Sequence, residues 1–291
     1  MRKLSTILAA VLIVGLLAGC GGNANKNAAS PSPAAGQNAE QGKYKDGAYY
    51  AESEYDEKGM KGAVVLNVKD GKITDVNWTE VSKAAGPDKK ELSKTGKYGM
   101  KEKGKAQSEW HEQAEKVEKF LVEKQDLAAL ALKDEEGHTD AVSGVSIKVK
   151  GFTTLVTKAL AAGPVEAGPY KDGAYHAEQA AFADSGWKYK VDLTVLNGKI
   201  VAVNWNGVNK DGGDDKKTLD KAGKYGMKEK AKAQGEWYEE AEKAEAFLIE
   251  KQDPKAATLK DDGTTDAITG VSINVKDFFQ LVEEALKNAK K

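Results

Sequence analysis

From Tyr44 onward the chain spells out one domain twice, and that duplication limits what it can fold into more than any other feature. Tyr44-Lys45-Asp46-Gly47-Ala48-Tyr49 returns as Tyr170-Lys171-Asp172-Gly173-Ala174-Tyr175. Gly96-Lys97-Tyr98-Gly99-Met100 returns as Gly223-Lys224-Tyr225-Gly226-Met227. Asp140-Ala141-Val142-Ser143-Gly144-Val145-Ser146 returns as Asp266-Ala267-Ile268-Thr269-Gly270-Val271-Ser272. The offset is 126 or 127 residues throughout. Solenoid units run to roughly 20–50 residues, so this period implies two complete domains in tandem. They span 43–163 and 170–291, and a proline- and glycine-bearing linker, 164–169, joins them.

Each copy reads as strands followed by helices. Residues 63–68 are β-rich, Asp70-Gly71 is a hairpin signal, and 73–78 continue as the partner strand. In the second copy Val191, Leu193 and Val195 alternate, Asn197-Gly198 turns, and Val201, Val203 and Trp205 alternate again. The Tyr-Lys-Asp-Gly-Ala-Tyr segment supplies a preceding strand. Ala106, Trp110, Ala114, Val117 and Leu121 fall at helical steps, as do Ala233, Trp237, Ala241, Ala244 and Leu248. A closing helix carries Phe152, Leu155, Val156, Ala159 and Leu160, matched by Phe278, Leu281, Val282, Ala285 and Leu286. The expected fold is therefore α+β, with two tandem domains that each pack helices against an antiparallel sheet. Trp78, Trp110, Trp205 and Trp237 are expected in the cores.

The N-terminus carries an address. Arg2 and Lys3 precede a short apolar run that ends in Leu17-Ala18-Gly19-Cys20. The run is shorter than the roughly 20 apolar residues that span a bilayer, and its layout is that of a secretory signal, 1–19. The last four residues resemble a bacterial lipobox, which implies lipid attachment at Cys20. Acyl chains hold a protein to a membrane at about 0.8 kcal/mol per buried methylene. Cys20 is the only cysteine, so no intramolecular disulfide is possible. Apart from Lys26 and Glu40, residues 21–42 are Gly, Asn, Ala, Ser, Pro and Gln with hardly a large apolar side chain, which makes 20–42 a disordered stalk by composition. With 44 basic and 45 acidic residues in close mixture, nothing points to nucleic acid.

The closing Asp140–Ser146 and Asp266–Ser272 segments are the candidate chemistry. Glycine permits a tight turn there, and free amides at a helix start hold phosphate well. The competing reading makes Ser146 and Ser272 simple N-caps. Tyr98 with Met100, and Tyr225 with Met227, could form a slot for a flat ring or merely pack onto the sheet. His111, His138 and His176 have no histidine opposite them in the other copy, so a shared histidine role is not indicated. Runs such as 112–119 read as the solvated side of a helix. No G-x-S-x-G, H-E-x-x-H, P-loop or G-x-G-x-x-G pattern occurs, and no nucleophile–base pair can be argued.

Taken in order, the motifs resemble the FMN-binding domains of bacterial respiratory and extracellular electron-transfer proteins. That family shows an opening Tyr-x-Asp-Gly-x-Tyr strand, a Lys-Asp-Gly-Lys-Ile hairpin, and a closing Asp-x-x-Ser/Thr-Gly-Ala-Thr/Ser. Residues 44–49, 69–73 and 140–146 match in the first copy, and 170–175, 197–200 and 266–272 in the second. The likeness covers 43–162 and 170–288. It implies that a flavin transferase moves FMN onto the last hydroxyl of the closing motif. Carried over, the acceptors are Ser146 and Ser272, set among Asp140, Ser143, Gly144 and Val145 and among Asp266, Thr269, Gly270 and Val271. Valine at 145 and 271 departs from the family's usual alanine, and the acceptor is serine where threonine is commoner.

The layout is similar to the flavinylated lipoproteins of Gram-positive extracellular electron transfer. The implied function is an electron carrier with two covalent FMN groups, lipid-anchored on the outer face of the cell membrane. Its implied partners are the flavin transferase, a membrane quinol-linked donor and extracellular acceptors such as ferric iron. An alternative is a cofactor-free lipoprotein that binds a solute, wall polymer or partner bivalently. A third reading gives the cleaved signal segment a separate life as a peptide pheromone.

Overall fold

In the computed structural model, residues 42–233 and 235–291 are described. The signal, Cys20 and nearly all of the stalk lie outside them. The first copy opens with β1 (Gly47–Glu52), β2 (Met60–Lys69) and β3 (Lys72–Ser82), an antiparallel sheet in the order β1-β2-β3. Then come α1 (Lys89–Lys94), α2 (Met100–Gly104), α3 (Trp110–Lys124), a 3-10 turn (Leu127–Ala129) and α4 (Lys150–Ala162). The second copy repeats this with β4 (Gly173–Glu178), β5 (Trp187–Leu196), β6 (Lys199–Asn209), α5 (Lys216–Lys221), α6 (Met227–Ala231), α7 (Trp237–Lys251) and α8 (Lys276–Ala285). The fold is α+β, two three-stranded antiparallel sheets with helices packed against each. No helix among the described residues is long and apolar enough to cross a membrane.

The repeated motifs explain one another. Asp70-Gly71 and Asn197-Gly198 turn with positive φ at both residues, the geometry that matches strand twist in a two-residue hairpin. Asp46 receives the amides of Asp70 and Gly71 at 3.0 and 2.8 Å. Asp172 does the same for Asn197 and Gly198 at 3.0 and 2.7 Å. The opening motif is thus a clamp on the turn that joins β2 to β3, and in the second copy β5 to β6. At the end of α3, Gln125 bonds both backbone groups of Ile73, at 2.8 and 2.7 Å, and Gln252 repeats this on Ile200. These polar grips fix the helix on the sheet edge, while apolar burial supplies most of the energy.

α3 lies on β3 and α4 on β1 and β2; α7 and α8 take the same places in the second copy. Trp78, Trp110, Phe152, Leu121 and Val156 lie in one core, and Trp205, Trp237, Phe278, Leu248 and Val282 in the other. All four expected tryptophans are buried. Fully burying side chains of the Leu, Val or Phe class stabilises by about 1.5–3 kcal/mol each. The long helices start later than the apolar stripe suggests: Ala106 and Ala233 lie outside α3 and α7, which begin at Trp110 and Trp237.

The two copies also touch. Ala63, Val65 and Val81 form a third cluster with Leu196, Val201 and Ala202. Lys61 Nζ donates to the Val201 carbonyl at 2.9 Å, and Thr194 Oγ1 to that of Gly86 at 2.7 Å. This explains why 63–66 is continuously apolar: both sheet faces are covered. It also corrects the expected alternation in β6. Val195 pairs with Ile200 and Thr194 with Ala202, so Val201 is the extra residue of a β-bulge. Ile200, not Val201, joins Val203 and Trp205 in the core, and Val201 faces the other copy. The linker is tied at both ends, with Val165 N–H donating to Ala48 at 2.7 Å and Gly168 N–H to Asn197 at 2.9 Å.

Candidate functional site

Each serine motif closes on a turn. Val145 N–H donates to the Val142 carbonyl and Val271 N–H to that of Ile268, both at 3.3 Å. Gly144 and Gly270, at φ 73° and 72°, hold the left-handed place that a side chain would strain. Behind each turn a buried threonine anchors the approach. Thr139 Oγ1 donates to Ala131 O at 2.8 Å, and Thr265 Oγ1 to Thr258 O at 2.7 Å. Asp140 and Asp266 point outward, paired with Lys133 at 3.0 Å and Lys260 at 2.6 Å.

Neither serine starts a helix. α4 and α8 begin at Lys150 and Lys276, their N-caps are Val149 and Val275, and neither cap makes a side-chain bond. The N-cap reading is therefore wrong: three residues separate each serine from the first helical residue. The intervening Ile147 and Val149 are buried, pulling the chain down onto the core before it can coil.

The amides that a phosphate would use are already engaged. Gln113, only 1% exposed, brings Oε1 to the N–H groups of Ser146 (2.7 Å) and Ile147 (3.2 Å) and to Ser146 Oγ (3.2 Å). In the second copy the residue is Glu240, 0% exposed. Its carboxylate accepts from Ser272 N–H (2.5 Å), Ile273 N–H (3.0 Å) and Ser272 Oγ (3.1 and 3.0 Å). The second turn is thus an oxyanion site satisfied from within the chain. Ser146 and Ser272 are exposed residues, as are Ser143 and Thr269, while the two serine hydroxyls bond inward to Gln113 and Glu240.

A lysine stands beside each turn. Lys243 Nζ donates to the Gly270 carbonyl at 2.9 Å. A Cβ placed on Gly144 would stand 2.8 Å from Lys116 Nζ, so the first glycine also makes room for a lysine. Chemically, each site offers a serine hydroxyl at the surface of the fold, a buried oxygen that accepts its hydrogen bond, and a nearby cation.

Tyr98-Met100 and Tyr225-Met227 lie at the starts of α2 and α6. Met100 and Met227 pack against the two cores and open α2 and α6, their amides capped by Glu109 at 2.9 Å and Glu236 at 2.7 Å. Tyr98 is 38% exposed beneath Lys89, whereas Tyr225 packs edge-on to Trp187 at 6.2 Å. The three histidines sit apart, His111 on Ser93, His138 on Asp134 and His176 on Asp192.

The residues that organise the site lie in runs read as solvated helix. Within 112–119, Gln113 and Glu118 are buried. Glu118 accepts Trp78 N–H at 2.6 Å and Lys90 Nζ at 2.5 Å; Glu245 repeats this with Trp205 and Lys217, both at 2.6 Å. Burial pushes both carboxyls above the ordinary range, against the pull of the lysines. Glu118 recurs as Glu245, but Glu115 and Lys116 beside it recur as Glu242 and Lys243, so the repeat does not single out the buried acid.

No protein-family model matches the chain, and no curated protein matches it. Two solved structures are similar to it. One is the solution NMR structure of a structural-genomics target from Clostridium thermocellum, 57% identical, covering 42% of this chain and 93% of that one, with a TM-score of 0.34. The other is the crystal structure of the CPE2226 protein from Clostridium perfringens, 31% identical, covering 41% of this chain and 88% of that one, with a TM-score of 0.33.

Proposed function

We propose that the protein is an extracellular electron carrier, lipid-anchored at Cys20, that holds one FMN on each copy through a phosphoester to Ser146 and Ser272. The observation that supports it best is the pair of exposed serines at equivalent turns, each hydroxyl bonded to a buried acceptor and each turn flanked by a lysine. The donor set suits a phosphate bonded to the hydroxyl better than one cradled by amides, because Gln113 and Glu240 already occupy those amides. Bound there, FMN would supply one- or two-electron chemistry that these side chains lack.

The chain's own residues would orient and neutralise. Gln113 and Glu240 hold the serine at the surface, and Lys116 and Lys243 place positive charge beside the phosphate. A flavin transferase would load the sites, a membrane quinol-linked protein would donate electrons, and acceptors such as ferric iron would remove them. The stalk would let the carrier reach both. An absorption spectrum near ~450 nm, taken before and after acid denaturation of protein made with the transferase, tests the reading. Colour that stays with the denatured chain supports it. A colourless chain, with the transferase active on a control, overturns it.

A further inference from the structure

The two copies differ where β2 and β5 face their helices. In the second copy Trp187 and Tyr189 point from β5 into the core side, and Gly207 lies opposite Tyr189 on β6. Tyr189 stacks on Trp237 with centroids 5.9 Å apart and leans on Trp205 at 5.6 Å. Its hydroxyl receives Lys216 Nζ at 2.6 Å. A Cβ on Gly207 would come within 3.2 Å of Trp187 and 3.4 Å of Tyr189, a tight fit against both rings.

In the first copy the same strand pair carries Gly62 opposite Glu80, and Met60 stands in the place of Trp187. The large residues are gone, and Glu80 instead pairs with Lys89 at 2.8 Å, Lys89 being the counterpart of Lys216. What remains is a cavity of about 520 Å³ whose lining includes Met60, Gly62, Trp78, Leu155 and Glu80. Lys148 and Glu136, themselves paired at 3.0 Å, stand in its lining as well.

We propose that this cavity binds a planar aromatic molecule bearing a hydroxyl group, a phenol or hydroquinone ring. The second copy shows what its counterpart space accepts: a phenol leaning on Trp205, its oxygen accepting from Lys216. In the first copy the indole is Trp78 and the polar group is Glu80, a carboxylate that accepts from a ring hydroxyl. Selection follows from that acceptor, because an aromatic without a hydroxyl gives it no donor. The second copy fills its own space, so binding is one molecule per chain.

Calorimetric titration of the full chain, made without attached flavin, tests this with 2-naphthol as the probe and naphthalene as the ring without its hydroxyl. Saturation at one 2-naphthol per chain is expected, with naphthalene weaker by about fivefold or more. The double variant Gly62→Tyr/Glu80→Gly reproduces the pair at 189 and 207 and should lower 2-naphthol affinity by about tenfold or more. Circular dichroism reports whether it folds. Should it not fold, Glu80→Gln alone must weaken 2-naphthol severalfold and leave naphthalene unchanged. No saturable binding, two molecules per chain, equal binding of naphthalene, or full affinity in the filled variant overturns the proposal. Displacement of 2-naphthol by FMN also overturns it, because the cavity would then belong to the flavin. Covalent flavin on Ser146 is read separately by colour, so either reading can fail alone.

Discussion

Gln113 and Glu240 occupy one position in the two copies, and each bonds the amide and hydroxyl of the serine that follows the glycine turn. An amide oxygen serves in one copy and a carboxylate in the other. The turn therefore keeps its shape while the charge behind the hydroxyl changes. Removing either side chain leaves amide hydrogens in the interior with no partner. For Gln113→Ala the expected cost is about 1–3 kcal/mol, with a comparable or larger loss for Glu240→Ala. Urea unfolding checks this, and unchanged midpoints in both variants would show that the turns stand without these acceptors.

Ser146→Ala with Ser272→Ala should abolish covalent flavin, and each single variant should retain about half the absorbance of the parent. Both serines are exposed residues and their acceptors keep their amide partners, so stability should change by about 1 kcal/mol or less. Absorbance of the denatured chain and the thermal midpoint are the two readouts. Flavin still bonded to the double variant would refute the assignment of the acceptors.

Lys216 is 2% exposed, with its ammonium 4.6–4.8 Å from the rings of Trp237, Tyr225 and Tyr189. Burial pushes its pKa from 10.5 down to about 8. The unfolded chain then binds more protons than the folded one between these values, so stability rises with pH across that window. Below it, the folded state carries the full penalty of a buried charge, an effect of at most about 3 kcal/mol. Lys216→Met should remove this pH dependence. The difference in unfolding free energy between parent and variant, followed from pH 7.5 to 9.5, is the measurement; a flat difference would mean that the amine is not desolvated.

Glu118 and Lys90 form an ion pair beneath the first sheet, and Glu118 also satisfies Trp78 N–H. Glu118→Ala strands a buried ammonium and an amide together, for an expected loss of about 3–5 kcal/mol. Lys90→Met in the same chain should recover part of it, because the uncompensated charge is then gone. Denaturant titration of the single and double variants gives the coupling. Purely additive losses would contradict the pairing.

Much of the architecture was legible in the order of residues. The repeat announced two equivalent units, Asp-Gly and Asn-Gly marked both hairpins, and helical spacing around Trp110, Phe152, Trp237 and Phe278 located four helices. These signals are local: a turn needs its own dihedral angles, and a strand or helix displays its period within a few residues. The serine motifs were legible as turns for the same reason, since Gly144 and Gly270 need positive φ whatever surrounds them.

What escaped depends on which side chains meet after folding. A glutamate in a charged helical run reads as solvated until Trp78 and Lys90 close over it, as they do on Glu118. Val201 reads as core until the bulge turns it toward the other copy, and nothing in its neighbours announces which sheet face will be covered. The cavity beside Gly62 is of the same kind, because an empty space is a property of several residues at once. Periodicity along a chain encodes which way a side chain points; the partner it finds, or fails to find, is settled by long-range packing.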